Sequence, residues 1–539
     1  MVYIYRIKNK SMKRVILFII ISMISIRSFA QQGGQLSGNL QLNSNFFMKD
    51  SSIGANGTPL YEHFLSSDES WLNLNYSIMG FTAGIRADFF HNSNLFNPLS
   101  SYSDQGLGFW YISKEVKNLK ITAGNFYDQF GSGIVFRAYE DRGLGVDYAI
   151  MGLKLDYKIN DHWKVKGFTG RQKNLFQTYK PIVKGLNIEG DIPINKNLRL
   201  IPGAAYLNRT IDQENMNSIV STINTYALDR RFCPMYNVYV MSAYNTLNYK
   251  NLSWYAEYAY KSHEAMYDAA SVLRDKSGTV TFTTLSYSRK GFGVTGQYKR
   301  TENFVLRTSP NESLLNGVMD YLPSLTRQNT LRLLSRYNAT TQYLSEQAFE
   351  GDVVLTPKKG WTINLNYSKV DNLSNTNLFQ EIYGDIEYSK IKKFIPQVGF
   401  QTVTYNQEVY RNEPGVPVVK TMTPFAEMTY KITKRKSLRC ELQYLSTKQD
   451  LGSWAYVLLE FNVAPKFSFS VSDMYNIKPN PAKTSEKKNY YNFFFGFTQN
   501  ATRFAISYVK QVDGYNCTGG VCRYEPAFSG VKFSINSTF

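Results

Sequence analysis

Past its first thirty residues the chain has no apolar run long enough to cross a membrane as a helix. It has four histidines and four cysteines in 539 residues. His63, His91, His162 and His263 are dispersed without metal-ligand spacing, so no metal centre is expected. The glycine-rich run GSGIVF, Gly131–Phe136, lacks the following Lys-Ser/Thr and the strand–helix context of a phosphate-binding loop, which excludes a nucleotide site. His63 near Glu62 and Asp68, or His91, is the weak starting point for a barrel-embedded hydrolase; structural or surface roles fit these scattered residues better. No catalytic residue and no cofactor is assigned, and the chain is not expected to be an enzyme. It shows no internal repeat, no low-complexity tail and no separate globular domain.

What the sequence does have begins with MKRVILFIIISMISIRSFA, residues 12–30. Lys13 and Arg14 precede an almost wholly apolar stretch, and Ser28-Phe29-Ala30 forms a small-x-small site before Gln31. This is the pattern of a secretory signal peptide over residues 1–30, leaving one domain over 31–539. Gln31 is not a cysteine, so lipoprotein processing is not indicated. The leader holds six basic residues and no acidic one; removing them from a net charge of +19 leaves about +13. A basic exported protein meets anionic lipid or solutes more readily than nucleic acid.

Aromatic residues make up 15% of the chain, with 40 Tyr and 35 Phe. Apolar and polar residues alternate with period two in many segments. In LNLNYSI, Leu72, Leu74, Tyr76 and Ile78 share a face opposite Asn73, Asn75 and Ser77. MGLKLDYKI sets Met151, Leu153, Leu155 and Tyr157 against Lys154, Asp156 and Lys158, and WTINLNY sets Trp361, Ile363, Leu365 and Tyr367 against Thr362, Asn364 and Asn366. Repeated along the whole chain, this pattern predicts an all-β fold: a transmembrane antiparallel β-barrel in an outer membrane, apolar face outward and polar face toward the lumen. Short, often basic links alternate with longer Asn-, Ser-, Gly- and Pro-rich stretches. The short links fall at Lys117-Asn118, Asn160–His162, Asn195–Asn197, Lys250-Asn251, Arg289–Gly291, Lys358–Gly360, Lys434–Lys436 and Gln499–Ala501. They are read as periplasmic turns, and the longer stretches 212–236, 307–346 and 476–486 as extracellular loops. The count comes to roughly 24 strands, in a range of about 16 to 26. Strand-like alternation starts by about residue 37, which leaves no room for the N-terminal plug domain of an energy-coupled receptor.

The chain ends GVKFSINSTF. Val531, Phe533, Ile535 and the terminal Phe539 fall on one face of an extended strand, in the manner of the signal read by the barrel assembly machinery. Cys517 and Cys522, in CTGGVC, flank a Gly-Gly turn and are expected to form a disulfide. Cys440 falls on an apolar face with Leu438, Leu442 and Tyr444 and is expected to be a free thiol, as is Cys233 in a long loop.

One stretch breaks the alternation. GNFYDQFGSGIVFRAYEDRGLGVDYAIMG, from Gly124, carries Arg137, Glu140, Asp141, Arg142 and Asp147 among glycines. Such charges cannot face hydrocarbon. They are expected in an inward-folding loop or at the lumen wall, joined by Arg171 and Lys173 from the next strand's end. Two roles are open: a charged constriction that selects solutes, or an ion-pair network that pins the loop. With the Lys-rich strand after it and GRQK, Gly170–Lys173, this stretch resembles an uncharacterised family of outer-membrane β-barrel proteins from Bacteroidota. The resemblance implies a porin-like barrel and carries no functional residues with it. Two functions are therefore expected. One is a passive channel favouring anionic solutes. The other is a structural or accessory subunit of an outer-membrane secretion or assembly complex. Outer-membrane lipid, the assembly machinery and other outer-membrane proteins are the expected partners.

Overall fold

The computed structural model describes residues 33–482, 487–518 and 521–539. The signal peptide expected over residues 1–30 lies outside them. Among the described residues, 24 antiparallel strands form one closed sheet. They run β1 (Gln35–Phe47), β2 (Ser66–Ile78), β3 (Phe81–Ser93), β4 (Tyr102–Val116), β5 (Leu119–Phe126), β6 (Ile150–Lys158), β7 (Trp163–Asn174) and β8 (Ile182–Gly190). Next come β9 (Leu198–Thr210), β10 (Asn237–Tyr249), β11 (Leu252–Tyr267), β12 (Leu273–Arg289), β13 (Phe292–Glu302), β14 (Ser345–Leu355), β15 (Trp361–Asp371) and β16 (Asn377–Tyr388). The circuit ends with β17 (Phe394–Tyr405), β18 (Val419–Lys431), β19 (Lys436–Leu445), β20 (Gly452–Val463), β21 (Phe467–Pro479), β22 (Asn489–Gln499), β23 (Thr502–Gln511) and β24 (Phe528–Thr538). Each strand pairs with its sequence neighbours, and β24 closes on β1 through the register Phe533↔Ser44 and Ile535↔Leu42. Closure pairs every strand on both sides and leaves no open sheet edge, which a bilayer requires because lipid offers backbone groups no hydrogen-bond partner.

The alternation seen in sequence sets which way each residue points. Met151, Leu153, Leu155 and Tyr157 of β6 are exposed on the outside, whereas Lys154 and Asp156 turn inward. Directly paired residues share a face, so Leu153 lies beside Thr169, and Lys154 beside Phe168. All eight short links read from the sequence fall at one end of the barrel, where connections are between two and seven residues long. The turn Met79-Gly80, with φ of 48° and 73°, has the two positive angles of a tight hairpin whose twist matches its strands. At the opposite end the connections are longer. One holds α1 (Gln213–Asn224), capped by Asp212 and packed through Met216, Ile219 and Ile223 onto Ala265 and Leu273. No described helix is long and apolar enough to span a membrane.

Two of the long connections turn into the lumen. Residues 127–149, between β5 and β6, and residues 303–344, between β13 and β14, bury a shared apolar core against the inner wall. Phe130, Ile134, Val135 and Phe136 from the first, and Phe304, Leu306 and Met319 from the second, have no exposed surface. Phe136 lies 4.6 Å from Phe168 of β7, centroid to centroid. The barrel therefore has an interior plug, made of its own connections rather than of a separate domain.

Candidate functional site

The plug is one body. Arg137 N donates to Met319 O at 2.9 Å, Tyr321 N to Gly133 O at 3.0 Å and Met319 N to Leu306 O at 3.0 Å. Tyr148 Oη donates to Leu315 O at 2.6 Å, and Gln172 Nε2 of β7 to Val318 O at 2.6 Å. Three wall cations hold the longer segment by its carbonyls: Lys261 Nζ at Val305 O (2.7 Å), Arg209 Nη1 at Thr308 O (3.2 Å) and Lys299 Nζ at Pro323 O (2.5 Å). Each also meets a carboxylate: Lys261 and Arg209 share Glu264, and Lys299 pairs with Glu346. None of these five wall residues stood out in the sequence. On their strands they occupy ordinary inward polar positions, and only the packed segment shows what they grip.

The charge cluster read from the sequence lies in the shorter segment. It is organised by Arg86 of β3, a residue that sequence reasoning did not single out. Arg86 is 2% exposed and donates Nε to Asp88 at 2.7 Å, Nη1 to Glu140 at 2.8 Å and Nη2 to Asp147 at 2.6 Å. Lys173 Nζ reaches the same Asp147 oxygen at 2.6 Å, and Tyr127 Oη donates to the other at 2.9 Å. Arg142 pairs with Glu140 at 2.8 Å, donates to Gln41 and lies over the Trp71 ring. Burial pushes the Asp147 carboxyl up, but Lys173 and Arg86 outweigh it and hold the group below its usual range. Lower in the barrel, Asp128 is held down in the same way between Lys166 and Lys154.

Arg137 and Asp141 sit at the edge of this network. The Arg137 guanidinium is stacked between Tyr139 and Tyr321, at 4.5 and 4.1 Å. Asp141 accepts from Leu144 N and shapes the following turn. Gly145 completes that turn at φ 70°, where a Cβ would come within 2.3 Å of Leu95 O. Arg171 does not join the cluster, contrary to expectation. It faces outward beside Met151. Arg171 and Lys173 share strand parity, but β7 leaves the main ladder after Gln172, and Lys173 pairs instead with Thr178 and turns inward. Above the cluster is a cavity of about 290 Å³ walled by Trp71, Phe90, Tyr148 and Phe176.

The longer segment bounds a second cavity, of about 520 Å³, against the 512–527 connection and β24. Arg332, Arg336, Arg411 and Lys532 line it, together with Glu413, Asp513 and Glu525. Arg336 and Arg411 share Asp450, at 3.5 and 3.0 Å, and bring its pKa down to about 2 against the opposing effect of burial. Glu525 pairs with Arg523, and Asp513 accepts from Tyr524 Oη. Arg332 has no carboxylate partner among the described residues and its side chain is exposed to the cavity. Desolvation inside the barrel and the neighbouring Arg336 lower its pKa, but a guanidinium stays charged. Within the plug, burial drives the Asp320 carboxyl up to about 7.

The inner wall elsewhere is not cationic. Glu350, Asp352, Glu381, Asp385, Glu427 and Glu441 face inward along β14–β19, with Arg439 between Glu427 and Glu441 at 2.7 Å from each. Cys517 and Cys522 are bonded at the tip of the 512–527 connection, and Cys233 and Cys440 are free. Val531, Phe533 and Ile535 lie on the outward face of β24 beside Tyr508, Ile506 and Phe504, and the Phe539 ring closes over Gly38 at the seam. His91 is on β3, 3.6 Å from Asp68; the His63 side chain lies outside the described residues. Among the described residues no cluster of His, Cys, Asp or Glu is arranged to hold a metal ion.

A closed sheet with an apolar exterior and a polar, loop-filled interior defines a large β-barrel of the outer-membrane type. The chain belongs to DUF6029, a family of unknown function, whose model matches residues 12–539. No curated protein is significantly similar. Among solved structures it is similar to the translocation pore of the P pilus usher PapC, at 8% identity and TM-score 0.45, covering 93% of this chain and 99% of that one. It is also similar to the siderophore receptor PirA from Pseudomonas aeruginosa (8% identity, TM-score 0.41, 94% and 80% covered). A third is a variant of the ferric enterobactin receptor PfeA from the same organism, in complex with enterobactin (9%, 0.42, 94% and 82%).

Proposed function

We propose that this protein is a porin-like barrel of a bacterial outer membrane that passes small polar solutes through a constricted route beside its plug and draws anions at the mouth. The observation that carries the reading is Arg332. It is a guanidinium without a carboxylate partner, exposed to a cavity of about 520 Å³ that also presents Arg336, Arg411 and Lys532. Cations lining a narrow polar passage raise the local concentration of anions. The basis for anion preference is thus local. It is neither the net charge of the chain nor Arg137 and Arg142, which are occupied by rings and by Glu140. Val531, Phe533, Ile535 and Phe539 serve, on this reading, as the signal for insertion by the assembly machinery.

A second reading, an accessory subunit of an outer-membrane complex, is favoured by a specific observation. The apolar core built on Phe130, Ile134, Phe136 and Met319 fills its part of the lumen as tightly as a protein interior. Planar-bilayer recording separates the two. Small, steady conductance, with a reversal potential in a KCl gradient that shows anion preference and loses it in Arg332→Ala, supports the channel. Correctly folded barrel that inserts and conducts nothing supports the accessory role.

A further inference from the structure

Most of the chain's excess positive charge sits at one rim. The eleven short turns together carry twelve Lys or Arg and two acidic residues, Asp161 and Asp191. The twelve long connections at the other end carry sixteen Lys or Arg and eighteen Asp or Glu. Three consecutive turns hold the densest part of the collar: Lys358 and Lys359, then Lys390, Lys392 and Lys393, then Lys434 and Arg435. All seven are exposed, and none forms an ion pair with a described carboxylate. Like charges held this close on adjacent hairpins repel one another, so the arrangement calls for anions from outside the chain.

The height of the collar identifies those anions. Immediately above it, on the outward face, the strands end in exposed rings such as Phe81, Tyr249, Trp361, Tyr430 and Phe467. Trp361 and Tyr388 lie 4.6 Å apart across β15 and β16. Rings of this kind settle at the boundary between hydrocarbon and headgroups. Cations at this end lean onto them: Lys114 Nζ is 3.9 Å from the Phe81 centroid, Lys250 Nζ 5.4 Å from Tyr249, and the Arg289 guanidinium 5.7 Å from Phe292. These contacts place the charged groups themselves at the level of the interfacial rings, next to the lipid phosphate layer. Basic turns also occur on eight of the eleven hairpins, from β4–β5 round to β20–β21, so the collar follows most of the circumference as a leaflet does, with only the uncharged hairpins beside the seam, β22–β23 and β2–β3, and the β6–β7 turn left out.

We propose that the short-turn rim is a binding surface for anionic phospholipid headgroups, with its strongest sector at the hairpins β14–β15, β16–β17 and β18–β19. The surface selects lipids with net negative charge over zwitterionic ones of the same chain length and anchors this end of the barrel in an anionic leaflet.

The test is native mass spectrometry of the whole barrel, released from detergent after equilibration with equimolar phosphatidylglycerol and phosphatidylethanolamine of identical acyl chains. Wild type is expected to retain phosphatidylglycerol about fivefold over phosphatidylethanolamine, the preference shrinking toward parity at about 0.5 M salt. Replacing the seven sector cations by Gln should bring the ratio near one at low salt, and replacing the six lysines among them by Arg should preserve it. Heat-modifiable gel mobility reports whether each variant is folded, and the wild-type salt series stands without any variant. Equal retention of the two lipids by wild type would overturn the proposal. So would saturable binding of poly-L-glutamate at this rim without lipid preference, which would assign the collar to an acidic protein.

Discussion

The two segments that fill the lumen use charge in opposite ways. In residues 127–149, Asp128, Glu140, Arg142 and Asp147 all meet ions of opposite sign, and Arg137 is held between two rings. In residues 303–344, Arg336 shares a carboxylate with Arg411, and Arg332 has none among the described residues. The first arrangement is a clamp. Its groups are satisfied by one another and leave little field for a solute. The second leaves one guanidinium without a carboxylate partner beside an open cavity. The charge cluster conspicuous in sequence is thus the one whose ions are paired, and the arginine proposed for function lies in a less conspicuous long connection.

Substitutions in the two regions should separate along the same line. Arg86→Ala removes the hub of the clamp and leaves buried Asp88 without its cation, while Glu140 keeps Arg142 and Asp147 keeps Lys173. It should cost about 3–5 kcal/mol, the range for breaking a buried ion pair, read as a fall in unfolding temperature in detergent. Asp320→Asn tests the interior of the plug through pH. The Asp320 carboxyl has a folded pKa of about 7 against 3.8 for the free side chain. The folded barrel therefore holds a proton that the unfolded chain has released over that interval. The contribution is complete below about pH 4 and is lost as pH rises through about 7. Wild-type stability should decline across this window and the Asn variant should decline less; identical profiles would remove Asp320 from the account. Arg137→Ala deletes two ring contacts and should cost about 1–2 kcal/mol, with ion selectivity unchanged. Arg332→Ala should change stability least, within about 0.5 kcal/mol, while reducing anion preference. A selectivity change in Arg137→Ala with none in Arg332→Ala would reverse the assignment of the two regions.

The barrel itself was legible because period-two alternation survives in nearly every strand, and because four of the five two-residue turns carry Lys-Asn, Lys-Gly or Met-Gly. The inward loop at 127–149 was legible because four charges in six residues cannot face lipid. The stretch 307–346 reads in sequence as an extracellular loop, whereas the connection 303–344 turns into the lumen. Phe304, Leu306, Met319, Leu322 and Leu333 have no regular spacing there, so no period marks them as a core, and their burial comes from the wall they meet. Arg86 and Asp88 were equally hidden, since alternating polar residues on a strand predict a lumen face but not which of them meet across it. Arg171 failed for a related reason: strand parity carries no information once a strand leaves its ladder.

The central claim is that two connections fold together inside the barrel as one plug. Hydrogen exchange of the folded protein in detergent tests it at the amides of Arg137, Met319 and Tyr321, whose bonds join or order the two segments. Protection comparable to that of strands β7 and β13 is the expected result. Exchange of these three amides at the rate of the exposed turn residues Lys358 and Lys359 would contradict it.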